Sequence, residues 1–107
     1  MTPSEFETLA GAELERLALA LDESAPDCEC EQKGAGVLEL EFADGGRIVV
    51  NRHAAAQEIW VASKSGGYHF RWNGSSWVDT RDGGELFAAI SELVSQYSGS
   101  QVVLGRP

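Results

Sequence analysis

The chain opens on a helical pattern. Phe6, Leu9, Ala10, Leu14, Leu17 and Leu21 recur at spacings that place them on one stripe of an α-helix, while Glu5, Glu15 and Asp22 fall off it toward solvent. Thr2-Pro3-Ser4-Glu5 supplies the start: Thr2 as cap, Pro3 in the first turn, Glu5 closing a capping box. Ser24-Ala25-Pro26 supplies the end, because proline disfavours the helical region for the residue before it.

From Asp27 the period changes to two. Asp27, Glu29 and Glu31 alternate with Cys28, Cys30 and Gln32, which predicts a strand with carboxylates outward and thiols inward. Gly34-Ala35-Gly36 turns the chain into Leu38, Leu40 and Phe42, alternating with Glu39 and Glu41. Asp44-Gly45-Gly46 is a hairpin turn before a third strand, Arg47 to Asn51, with Ile48 and Val50 inward. Ile59 to Ser63 is a fourth strand. Ser65-Gly66-Gly67 turns into a fifth, where Tyr68, Phe70 and Trp72 alternate with His69, Arg71 and Asn73. Asn73-Gly74 leads to a short sixth strand, Trp77 to Thr80. Asp82-Gly83-Gly84-Glu85 reads as a second capping box, before a helix whose stripe is Leu86, Phe87, Ile90, Leu93, Val94 and Tyr97. Gln101 to Leu104 adds a short terminal strand or a coil along the core. Consecutive hairpins make an antiparallel sheet. Two helices with one apolar stripe each, and a sheet with one apolar face, pack most economically as a two-layer α+β sandwich. The other sheet face is then open to water.

Composition narrows the function. With 107 residues the expectation is a single domain, 1–107. No apolar run is long enough for a membrane span, and the N-terminus lacks a basic start followed by an apolar run, so the expected location is the cytoplasm. The net charge is −9, which argues against a general nucleic-acid-binding role. The excess is concentrated: residues 1–44 carry twelve acids and two bases, whereas the remainder carries five acids and six bases. Such asymmetry points to a cationic partner, a metal ion or a basic protein patch.

The side chains that carry chemistry are few. Trp60 has the parity opposite to Ile59 and Val61 and so projects from the open sheet face, near His69 and Arg71; an exposed Trp in such company suits a protein contact. Packing of Trp60 beneath a loop is the alternative. Cys28-Glu29-Cys30 reads as a pair of reduced, buried structural thiols, with a soft-metal or redox site the lesser alternative. His53 and His69 lack a neighbour at metal-ligand spacing. No catalytic residue is assigned.

Together these residues resemble the bacterial frataxin (CyaY) family over nearly the whole chain. Ser4-Glu5-Phe6 with Leu9-Ala10 is similar to the family's start. Gly36-Val37-Leu38, Asp44-Gly45, Ile48-Val49-Val50-Asn51-Arg52, Ile59-Trp60-Val61-Ala62 and Gly66-Gly67-Tyr68-His69-Phe70 are similar to its sheet. The resemblance implies a frataxin-like sandwich and a non-enzymatic role in iron–sulfur cluster assembly. It implies weak binding of iron (Fe2+/Fe3+), with other divalent cations competing, on an acidic ridge at Asp22, Glu23, Asp27, Glu29 and Glu31. The implied partners are a cysteine desulfurase and the iron–sulfur scaffold protein, contacted through Asp22, Glu23, Asn51, Arg52, Trp60 and His69. The expected state is a monomer, with oligomerisation on iron loading left open. Two rivals stand beside this reading: a ferroxidase oxidising Fe2+, disfavoured because the sequence has no Glu-x-x-His pair, and an acidic interaction adaptor without a metal role.

Overall fold

The computed structural model describes residues 1–25, 27–34 and 36–105. Two of the expected turn residues, Pro26 and Ala35, lie outside the described residues. Helix α1 (Pro3–Ser24) is followed by strands β1 (Glu29–Gln32), β2 (Val37–Glu41), β3 (Arg47–His53), β4 (Glu58–Ser63), β5 (Gly66–Trp72) and β6 (Trp77–Asp79), and then by helix α2 (Leu86–Ser98). The strands pair in chain order as one antiparallel sheet, β1-β2-β3-β4-β5-β6.

The sandwich forms as its periodicities require. The Thr2 hydroxyl accepts from the Glu5 N–H (3.1 Å) and the Glu5 carboxylate accepts from the Thr2 N–H (2.9 Å), so the capping box is in place. Phe6, Ala10, Leu14, Leu17 and Leu21 of α1 meet Leu38, Leu40, Ile48, Val50, Ile59, Val61 and Phe70 of the sheet, together with the whole predicted stripe of α2, in one core. Leu9 is only half-buried, whereas Glu13, off the apolar pattern, is buried and accepts from the Arg16 guanidinium at 3.1 Å.

Several boundaries differ from the sequence expectation. β3 runs on to His53 and β4 begins at Glu58, because the pairing continues through Arg52↔Ile59 to His53↔Glu58. Gly66 and Gly67 are already paired with Ser63 and Ala62, so the turn before β5 falls a residue or two earlier. The second capping box does not form. Asp82 accepts from the Gly84 N–H two residues on (2.8 Å), and Gly83 has φ +76°, a conformation no helical first turn contains. Glu85 caps α2 instead, accepting from the Phe87 N–H at 3.0 Å. Residues 101–105 are coil, held against α2 by hydrogen bonds from the Val102 and Leu104 N–H groups to the Ser95 and Ser91 hydroxyls.

One glycine is demanded by both backbone and space. Gly36 has φ +82°, and a Cβ there would lie 2.5–2.7 Å from the Nε, Cγ and Cδ atoms of Arg52, whose side chain crosses it to reach α1. Gly36→Ala is therefore expected to cost about 1–3 kcal/mol through left-handed strain and displacement of Arg52. Urea unfolding checks this; an unchanged midpoint would show that Arg52 yields freely.

Candidate functional site

The acidic ridge lies at one edge of the sandwich and divides around the edge strand. Asp22 and Glu23 sit exposed in the last turn of α1, which carries no basic residue. Carboxylates there oppose the negative end of the helix dipole, an arrangement that a bound cation relieves. Asp27 is exposed in the connection to β1. Glu29 and Glu31 leave β1 on the open sheet face, since Cys30 between them pairs with core residue Leu40. Directly across the strand pair from them stand Glu41 and Glu39. Four glutamates thus form a block in which like charges face each other, which destabilises the pairing.

Two bases temper that block. Lys33 lies 3.8 Å from Glu31 and 3.9 Å from Glu39, and Arg47 lies 3.6 Å from Glu39 and 3.3 Å from Glu41. These are loose, largely exposed contacts, worth little each. Asp22, Glu23, Asp27 and Glu29 have no ion-pair partner among the described residues. Nor do any three His, Cys, Asp or Glu among the described residues converge to hold a metal ion. The ridge offers one or two oxygens at a time, and cannot supply a cage. Glu39 and Glu41 were absent from the sequence-derived ridge. The register that brings them opposite Glu31 and Glu29 was the missing signal.

On the other half of the open face, Trp60 is built into a cluster. His53 of β3, Trp60 of β4 and His69 of β5 stack as three nearly parallel rings, with centroids 3.7 Å and 4.5 Å apart. The rings meet because Trp60 and His69 are cross-strand partners and His53 is the diagonal neighbour. Beneath them Glu58, 6 % exposed, accepts from the Trp60 indole N–H (2.8 Å) and from Arg71 (2.7 Å), with His69 Nδ1 3.7 Å away. Burial, the largest single influence, pushes the Glu58 carboxyl up; the hydrogen bonds from Trp60 and Arg71 and the neighbouring charges of Arg71 and His69 together outweigh it and hold it below its ordinary value. His53 Nδ1 accepts from the Ala56 N–H at 3.2 Å, which fixes the ring in the stack. Trp60 is half-buried by these neighbours. His53 and Glu58 were absent from the sequence-derived cluster: His53 reaches Trp60 only through the β3–β4 register, and Glu58, two residues before Trp60 on the same face, fell outside the strand expected to begin at Ile59.

Asn51 and Arg52 part company. Asn51 pairs with Trp60 across the strands and belongs to the open face. Arg52 has the opposite parity and reaches the helix layer, where its guanidinium meets the Glu7 carboxylate of α1 at 3.0 Å. It borders a cleft with Gly11, Gly34, Gly36 and Gln32. Six sequence-derived positions therefore occupy three places: ridge, stacked-ring face and helix-side latch.

Cys28 and Cys30, expected as buried structural thiols, are half-buried instead. They line a cleft of about 330 Å³ with Gln32 of β1 and Glu15, Ala18, Leu19 and Asp22 of α1. Burial first, then the Cys30 and Glu29 charges, push the Cys28 thiol up to about 11, against a hydrogen bond from the Glu41 backbone. Burial and the Asp22 charge raise Cys30. Both are protonated thiols at neutral pH.

Among the described residues no helix is long and apolar enough to cross a membrane. A family model described as a frataxin-like domain matches residues 1–100. The iron–sulfur cluster assembly protein CyaY of Dechloromonas aromatica is 51% identical over 104 residues, spanning 97% of this chain and 99% of the relative. The protein of the same name from Janthinobacterium sp. (strain Marseille) is 50% identical over 109 residues, spanning 97% and 96%. Among solved structures, the frataxin of Psychromonas ingrahamii superposes with a TM-score of 0.90 at 27% identity, covering 99% of this chain and 100% of its own. A trimeric frataxin from the yeast Saccharomyces cerevisiae, complexed with ferrous iron, superposes with a TM-score of 0.71 at 31% identity, covering 85% and 86%. The near-complete family match and the shared two-helix, six-strand sandwich lead to one conclusion: this chain belongs to the frataxin family, in its bacterial CyaY branch.

Proposed function

We propose that the chain serves iron–sulfur cluster assembly in the cytoplasm as a non-enzymatic regulator, which binds iron weakly on the acidic ridge and docks a cysteine desulfurase through the same carboxylates. The scaffold protein is assigned to the open face around Trp60, His69 and Asn51. The observation that carries the reading is the ridge: Asp22, Glu23, Asp27 and Glu29, without an ion-pair partner among the described residues, run into the Glu31, Glu39 and Glu41 block. Carboxylates are suitable hard ligands for Fe2+ and Fe3+, and an open edge leaves water to complete the coordination shell. Binding is then weak, multiple and poorly selective, and salt screens it over about 8 Å. A basic patch on the desulfurase would be steered to the same edge.

Two measurements test this. In an NMR titration with Fe2+ and then desulfurase, shifts and broadening should centre on Asp22 through Glu31 and extend to Glu39 and Glu41. Iron and desulfurase should compete or otherwise alter each other's affinity, because they share ligands; identical desulfurase affinity with and without Fe2+ would remove the shared-site model. Cations should also stabilise the fold. At ten times its Kd a divalent ion adds about 1.4 kcal/mol, several degrees in Tm for a domain of this size. Glu29→Gln with Glu31→Gln should reduce that gain, whereas an equal gain in this variant would place the ions elsewhere. Saturable acceleration of Fe2+ oxidation by the protein in stopped flow would favour the ferroxidase reading instead.

A further inference from the structure

We propose that Cys28 and Cys30 form a two-coordinate site for a soft monovalent cation of the Cu(I) class, in the cleft between the end of α1 and β1. Cys30 leaves β1 on the side opposite to Glu29 and Glu31, and Cys28, in the bend just before β1, borders the same opening. Two residues along an extended chain are separated by about 6.6 Å, toward the upper limit for a disulfide, so the pair suits a bridging ion better than a direct bond. A linear sulfur–metal–sulfur unit spans about 4.6 Å, twice a metal–thiolate bond, which two such side chains reach by leaning together.

The surroundings select the kind of ion. A tetrahedral Zn2+ site needs four ligands, and no three His, Cys, Asp or Glu among the described residues converge. Two thiolates are sufficient for Cu(I) or Ag(I), and thiolate ligation favours these soft ions over the hard cations that suit the ridge. Asp22 lines the cleft and bears on Cys30, so the opening attracts positive charge. Ala18, Leu19 and Gln32 also line it. Binding releases the two thiol protons to solvent and changes no oxidation state. The edge of the sheet thus carries two cation preferences, oxygen ligands on the open face and sulfur ligands in the cleft against α1.

Anaerobic titration with Cu(I) against the chromogenic chelator bicinchoninate tests the site on the full chain. One equivalent should be withheld from the chelator, with thiolate-to-metal charge-transfer absorption in the ultraviolet. Cys28→Ser and Cys30→Ser should each weaken binding by at least about 100-fold, more than the loss typical of an outer-shell change. Glu29→Gln with Glu31→Gln should change it less than about threefold, because those carboxylates leave the opposite side and act only through screened charge. Ag(I) added to the unsubstituted protein should move the NMR signals of both cysteine Cβ atoms together, a readout that needs no variant to fold. Three results would overturn the proposal: Cu(I) removed as readily from the wild type as from the double serine variant, one thiol sufficing alone, or one ion joining two protein molecules in sedimentation.

Discussion

Reversing the ridge with Glu29→Lys and Glu31→Lys should weaken desulfurase binding about 100-fold at low salt, the effect expected when two charges at a complementary interface change sign. Most of the loss should disappear as salt rises, since the interaction is with exposed charges. The same variant should be at least as stable as the wild type. Lysine at 29 would face Glu41, and lysine at 31 would face Glu39, replacing repulsion by attraction across the strands for a gain of up to about 1 kcal/mol. Loss of binding together with retained or increased stability would separate a docking surface from a merely solvated one. Isothermal titration and urea unfolding on the same preparations provide both readouts. Glu92→Lys, on the exposed side of α2, is the control; an equal loss there would reduce the effect to net charge. If the reversal abolishes docking while iron-dependent stabilisation is intact, the adaptor reading gains and the shared ridge fails.

Removing Glu58 should have the largest effect on the open face. Glu58→Ala deprives the Trp60 indole N–H and the Arg71 guanidinium of their acceptor at once. Hydrogen bonds to a charged group contribute about 1.5–3 kcal/mol. Arg71 is well exposed and rehydrates, so a total loss of about 2–3 kcal/mol is expected rather than the sum of two such bonds. Glu58→Gln keeps an acceptor for Trp60 and should lose roughly half as much. Its pH dependence is diagnostic. The folded carboxyl titrates below its ordinary 4.5, so its charged form contributes stability above that value, and the contribution is lost as pH falls through the lower folded value. Glu58→Gln should lack this part of the acid loss. Urea midpoints measured from about pH 6 to pH 3 decide it, and an unchanged acid slope would show that the Trp60–Arg71 bonding does not hold the carboxylate. Scaffold binding should fall more in the alanine variant than in the glutamine variant, because only alanine frees the indole from its acceptor.

Periodicity was sufficient for the architecture because each element buries one face. The stripe Leu86, Phe87, Ile90, Leu93, Val94 and Tyr97 is buried as its spacing predicts, and so are Leu38, Leu40, Ile48 and Val50. Boundaries failed where a local hydrogen bond competed with the pattern. Asp82 is the clearest example: its carboxylate satisfies Gly84, and the following glycine at positive φ delays α2 to Leu86. The cysteines show another limit. Alternation gives a side chain's face, but an edge strand has a neighbour on one flank only, so the inward face there is half covered.

What the sequence by itself determined was the class of fold, the side of each strand and the concentration of negative charge in the first 44 residues. These follow from local periodicity and composition, which need no knowledge of distant neighbours. Only the tertiary structure decided which side chains meet: Glu39 and Glu41 opposite the ridge, Arg71 on Glu58, His53 and His69 on either side of Trp60, and Arg52 on Glu7 behind the sheet. Each of those pairings depends on strand register or on the approach of α1, and a shift of one residue would turn every such side chain to the opposite face.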